Sequence, residues 1–159
     1  MRTVHEALIH ASPEAIFAVA ADVERWPALH RAYRQCRVLE RQPNRLVFEM
    51  AGWIRGWPAR WRAVQERFPD DYRIVFRHIH GITNGMIVEW RLRPVERDTR
   101  VILVHDLVMR WPLIGRLVSD FVVGPVFIDW IARQTLAAVR MTVEDSSTPA
   151  HRKRRGPLR

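Results

Sequence analysis

The chain has 159 residues, the length of one ordinary domain, and 48% of them are hydrophobic, enough for a sizeable core. A formal charge of +9 raises nucleic acid as a partner, but Arg152, Lys153, Arg154, Arg155 and Arg159 crowd the C-terminus, and Lys153 is the one lysine among 26 basic residues. That skew reads as GC-rich codon usage rather than a phosphate track, so specific nucleic-acid binding by the folded part is set aside.

The lone cysteine, Cys36, excludes an internal disulfide, and its spacing to other ligand types suggests no zinc site. Met1 to Glu6 lacks the apolar run of a signal peptide. The longest apolar region, Leu113 to Val143, is broken by Arg116, Asp120, Asp129, Arg133 and Arg140, too polar for a transmembrane span. A cytoplasmic protein is the expectation.

Thr3 to His10 reads as a strand, with Val4 and Leu8 on one face and Ala7 and Ile9 across or beside them. Ser12 suits an N-cap and Pro13 the first helical position, so Pro13 to Ala21 is a helix presenting Ile16, Phe17 and Ala20. Pro27 starts a second short helix after Trp26, running to about Tyr33. Gln35 to Arg41 and Arg45 to Met50 are strands around the turn Gln42-Pro43-Asn44. Pro58 to Phe68 is a long strand ended by Pro69-Asp70-Asp71. Tyr72 to His80, Met86 to Arg93 and Thr99 to Arg110 complete roughly seven strands. Their short connections predict one antiparallel sheet.

The C-terminal part is helical. Leu113 to Val123 is a first piece, Gly124-Pro125 breaks it, and Val126 to Glu144 carries Ile128, Ile131, Ala132, Thr135, Leu136, Val139 and Val143 along one face. One such helix could cover the concave face of a curved sheet and leave a gap where side chains do not meet. Residues 1–145 thus form one ligand-binding domain, and 146–159, polar and charged with Pro149 and Pro157, a basic disordered tail.

Strand alternation selects what faces the gap. Pro58–Phe68 puts Ala59, Trp61, Ala63, Gln65 and Arg67 on one face, and the alanines beside Trp61 leave room for a ligand. Met86–Leu92 contributes Met86, Val88, Trp90 and Leu92. The last strand contributes Val101, Leu103, His105, Leu107 and Met109, with His105 the one polar group among them.

The order of strand, two small helices, six strands and long helix resembles the START-related helix-grip superfamily, an α+β fold. Within it the chain is most similar to bacterial aromatic polyketide aromatase/cyclases. Asp22 to Leu29 followed by Tyr33, then Trp61 to Arg67, then Arg77 to Trp90 carry the likeness, which spans residues 3–144. The resemblance implies pocket aromatics at Trp26, Tyr33, Trp61 and Trp90, pocket arginines at Arg67 and Arg77, a cavity histidine at His105 and an acidic partner at Asp129. Simple alternation puts Arg77 on the face opposite Tyr72, Ile74 and Phe76, so a twist or bulge is needed to turn it inward. Ala63 and Gln65 depart from the Trp and Ser usual in that strand, which reshapes the pocket.

Two functions follow. In the first, the chain is a cofactor-independent polyketide cyclase/aromatase-like enzyme that folds a poly-β-ketone, closes a ring by aldol addition and dehydrates it. His105 with Asp129 would move protons, since a carboxylate in the apolar run Val126 to Ile131 is costly to bury unpaired. Arg67 would stabilise developing negative charge, and Trp26, Tyr33, Trp61, Gln65, Arg77 and Trp90 would bind substrate. The partner is a hydrophobic or aromatic small molecule, supplied by an acyl carrier protein where it arrives as a thioester. In the second, the same cavity carries a lipid, quinone or other apolar molecule without reaction. Each polar residue also has a plain structural reading: His105 as a satisfied core histidine, Asp129 bonded to a local arginine or facing solvent, and Arg67 in a salt bridge. His78, His80 and His105 could suggest a metal, but no carboxylate or cysteine completes a set, so no metal is expected.

Overall fold

The computed structural model describes residues 2–81, 83–107 and 127–147. The expected helix Leu113–Val123, its break at Gly124-Pro125, the strand residues after Leu107, including Met109, and the tail beyond Ser147 lie outside them.

Strand β1 (Arg2–Ile9) leads into helix α1 (Pro13–Ala21), whose first turn is capped by Ser12, with Oγ accepting from Ala15 N at 3.2 Å. A single 3-10 turn (Val23–Arg25) passes into α2 (Trp26–Leu29). This second helix is shorter than the sequence suggests. His30 is already extended, and Tyr33 opens the next strand instead of closing the helix. Six strands follow: β2 (Tyr33–Gln42), β3 (Arg45–Ile54), β4 (Trp57–Phe68), β5 (Arg73–Gly81), β6 (Met86–Val95) and β7 (Asp98–Leu107). After a π-helical turn at Phe127 and Ile128, α3 (Asp129–Ser147) completes the described chain, reaching two residues into the expected tail.

All neighbouring strands are antiparallel, in the order β1-β7-β6-β5-β4-β3-β2. Consecutive hairpins explain the run from β2 to β7, because a tight turn delivers the next strand antiparallel. The one long crossing runs from β1 to β2, at opposite edges of the sheet, through α1 and α2. The curved seven-stranded sheet with its C-terminal helix and short helices after β1 is the helix-grip fold. No helix of the described residues is long and apolar enough to cross a membrane.

The core lies between the inner sheet face and the helices. Helix α3 packs on α1, α2 and β1, with Ile128, Ala132, Leu136, Val139 and Val143 buried along one side. Residues at this spacing share a face of a 3.6-residue helix. The sheet answers with Phe48, Ile74, Phe76, Trp90, Val101 and Leu103. In β1 the inner face is the one bearing Ile9, whereas Val4 and Leu8 are exposed. Gly52 is forced by packing: a Cβ there would stand 2.3 Å from the Ala32 carbonyl oxygen, which already accepts from Trp53 N at 2.8 Å. The β3–β4 hairpin turns on Arg55 and Gly56, both with positive φ, the geometry of a tight two-residue turn.

Candidate functional site

A cavity of about 200 Å³ opens between the inner sheet face and α3. An apolar cavity of roughly 150 Å³ holds a benzene ring, so this one has room for a small aromatic ring system. Its walls come from α2, from β2 through β7 and from α3. Most of the lining is aromatic or aliphatic. Among the described residues the polar exceptions are few: Tyr33, His78, Thr83, His105 and Thr135.

The aromatic wall is continuous. Trp26 lies 5.1 Å from Tyr33 and 5.7 Å from Phe76, centroid to centroid. Tyr33 meets Trp61 edge-on at 6.4 Å, and Trp61 stacks on His78 at 6.1 Å with planes 10° apart. These contacts lie within the range of favourable aromatic pairs. Trp90 completes the floor, 1% exposed.

The Tyr33 hydroxyl and Thr135 Oγ1 are 2.5 Å apart. Thr135 spends its own proton on the Ile131 carbonyl at 2.8 Å, so Tyr33 is the donor of the shorter bond. Burial raises the Tyr33 pKa, which keeps the phenol neutral. His78 has its pKa lowered to about 4 by burial, and its Nδ1 pairs with Thr83 Oγ1 at 2.6 Å. Burial, then the neighbouring His5 and His78, lowers the His105 pKa to about 3. All three cavity side chains are therefore uncharged near neutral pH.

Of the residues singled out from the sequence, Trp26, Tyr33, Trp61, Trp90 and His105 line this cavity. Four others do not. Arg67 and Gln65 share the inner face with Trp61, but strand rise carries Arg67 roughly 20 Å along from Trp61, beyond the cavity. Gln65 is spent on the Ala21 carbonyl, donating from Nε2 at 2.9 Å. Arg77 points outward and pairs with Glu66 at 3.0 Å. The β-bulge in this hairpin falls later, where Ala63 pairs with His78 but Arg62 with His80. It therefore cannot turn Arg77 inward, and it separates the faces of His78 and His80.

Asp129 is the fourth correction. It begins α3 facing β1, and its Oδ1 accepts from His5 Nε2 at 2.6 Å rather than from His105. Its Oδ2 accepts from Arg133 Nε at 2.9 Å, one helical turn on. The His5 bond, with Arg133 in support, holds the Asp129 pKa below the usual carboxylate value. His5, missed in the sequence, could have been found by alternation: it shares the inner face with Ile9. Among the described residues no three His, Cys, Asp or Glu side chains gather as a metal site.

An antiparallel helix-grip domain with an aromatic cavity under its C-terminal helix defines the class of this chain. The chain belongs to the family described as polyketide cyclase/dehydrase and lipid transport, whose model matches residues 9–140. It is 32% identical over 107 residues to the granaticin polyketide synthase bifunctional cyclase/dehydratase of Streptomyces violaceoruber, covering 65% of this chain and 33% of that protein. It is 29% identical over 109 residues to the actinorhodin polyketide synthase bifunctional cyclase/dehydratase of Streptomyces coelicolor, covering 66% of this chain and 34% of that one. The chain thus spans about a third of the length of these relatives. In fold it matches the crystal structure of the Zhui aromatase/cyclase of Streptomyces sp. R1128, with TM-score 0.82 and 20% identity, covering 95% of this chain and 98% of that one.

Proposed function

We propose that the chain is a cofactor-independent cyclase/dehydratase that folds a poly-β-ketone, or a related apolar chain, in the cavity, closes a ring by aldol addition and eliminates water. The observation that carries this reading is His105, an imidazole set in an otherwise largely apolar wall. A methylene between two ketones is acidic enough for a neutral imidazole to deprotonate when the two are held in contact. The aromatic wall of Trp26, Trp61 and Trp90 fixes the chain's curvature by excluded volume. The Tyr33 hydroxyl, released from Thr135 Oγ1 by a substrate carbonyl, supplies a donor for the developing oxyanion. Dehydration needs the reverse transfer, a proton delivered from imidazolium to the leaving hydroxyl. The substrate arrives free or as a thioester on an acyl carrier protein.

The competing reading, a carrier for a lipid or quinone, uses the same walls and needs no proton acceptor. A thioester mimic of a poly-β-ketone separates them. Wild-type protein should yield cyclised, dehydrated product, and His105→Gln should lose about 10²–10⁴ in rate while binding the mimic with little change. Binding without turnover in the wild type would favour the carrier.

A further inference from the structure

Behind the cavity wall, where β1 pairs with β7, three buried polar atoms have no hydrogen-bond partner: Thr3 Oγ1, His5 Nδ1 and His105 Nδ1. They are neighbours. Thr3 stands directly opposite His105 in the β1–β7 ladder, and His5 opposite Leu103. The His5 and His105 rings meet edge to face, with centroids 6.2 Å apart and planes at 88°. Three orphaned polar atoms on adjacent side chains are what one buried water satisfies, since such waters make about three bonds.

The proton positions follow from chemistry. The Asp129 carboxylate is ionised and can only accept, so the proton shared with His5 sits on His5 Nε2. In its neutral form, with the proton on Nε2, His5 presents a bare Nδ1 to the buried cluster. A water there that donates one proton to His5 Nδ1 and the other to Thr3 Oγ1 has only acceptor sites left for His105, and so takes Nδ1–H. His105 Nε2 has no hydrogen bond among the described residues and is not one of the buried unpartnered atoms, so it opens on the cavity that His105 lines.

We propose that His5 is the positioning residue for His105: through one buried water, the Asp129–His5 pair holds His105 as its Nδ1–H tautomer and leaves Nε2 bare toward the cavity. This rests on the reading of His105 as the proton acceptor, and it resolves a difficulty in that reading. Burial makes His105 a poor place to leave a positive charge. When Nε2 takes the substrate proton, Nδ1–H passes its own to the water, and the water passes one to His5 Nδ1. His105 is neutral again, now protonated at Nε2. His5 is an imidazolium held against the partly exposed Asp129 carboxylate, whose negative charge offsets its own. The return path delivers the proton for dehydration.

The test reads the tautomer of His105 directly, by long-range ¹⁵N–¹H correlation on the full chain without substrate. Wild-type His105 should be the Nδ1–H form. Asp129→Asn lies at a partly exposed position and turns the carboxylate into an amide able to donate to His5 Nε2. That reverses His5, and His105 should follow to the Nε2–H form. His5→Gln can bond Asp129 and still accept from the water but cannot take the proton. It should keep the Nδ1–H form while lowering kcat at least tenfold with KM little changed. A His105 tautomer that is Nε2–H in the wild type, or unchanged in Asp129→Asn, overturns the proposal. A tautomer that shifts as expected in a protein without turnover would uphold the positioning and remove the enzyme reading.

Discussion

The phenol of Tyr33 donates to Thr135 Oγ1 at 2.5 Å, joining the first residue of β2 to the middle of α3 across 102 positions of sequence. The bond sits in the cavity wall, so it clamps the helix to the sheet there. Both partners are buried, and removing one leaves the other short of a partner.

The first prediction concerns that clamp. Tyr33→Phe and Thr135→Val should each destabilise the fold by about 1–3 kcal/mol, and the double variant should cost less than their sum by about 1 kcal/mol. Urea unfolding of the four proteins gives the coupling. Strict additivity would mean that the hydroxyls do not meet.

A second prediction separates two glycines. Gly52→Ala drives a Cβ to 2.3 Å from the Ala32 carbonyl oxygen, and backbone must move. Gly56→Ala meets nothing within 4 Å but keeps a φ of +87°. Thermal unfolding should place Gly56→Ala about 1–2 kcal/mol below wild type and Gly52→Ala lower still, at about 3 kcal/mol or more. Equal losses would contradict the close approach of β3 to the chain before β2.

Acid should weaken the fold through two rings. His78 and His105 are less basic folded than unfolded, with values of about 4 and about 3 against 6.5. Below pH 6.5 the unfolded chain therefore binds more protons, and stability falls as pH drops toward the folded values. Within that window each ring contributes up to about 1.4 kcal/mol per pH unit. The urea midpoint should fall between pH 7 and pH 5, less steeply in His78→Gln. A midpoint flat across this interval would show that the two rings are as basic in the fold as in the unfolded chain.

Much of this architecture was legible in the sequence. Ser12-Pro13 marks the start of α1, the apolar spacing from Ile128 to Val143 marks the buried side of α3, and alternation in β4, β6 and β7 puts Trp61, Trp90 and His105 on the inner face. Local rules suffice there because periodicity and caps are local. What they could not supply is depth along a strand and the choice of partner across the fold. Arg67 has the right face but the wrong height, and Gln65 is consumed by a helix end distant in sequence. Asp129 bonds the local Arg133, as its plain structural reading has it, yet which histidine it meets depends on β1 lying beside β7, a long-range pairing that no motif announces. The exposed faces of Val4 and Leu8 hid His5 for the same reason.

The proposed reaction takes place inside the cavity bounded by Trp61, Trp90, His105 and α3. Ala132 on α3 lines it and is 1% exposed, so a larger side chain there must project into the space. The deciding measurement is the single-turnover rate, followed by absorbance of the aromatic product, for a poly-β-ketone thioester mimic with wild type and with folded Ala132→Phe. Filling the cavity should abolish both binding and product formation. Product formed by Ala132→Phe at the wild-type rate would place the reaction elsewhere and contradict the proposal.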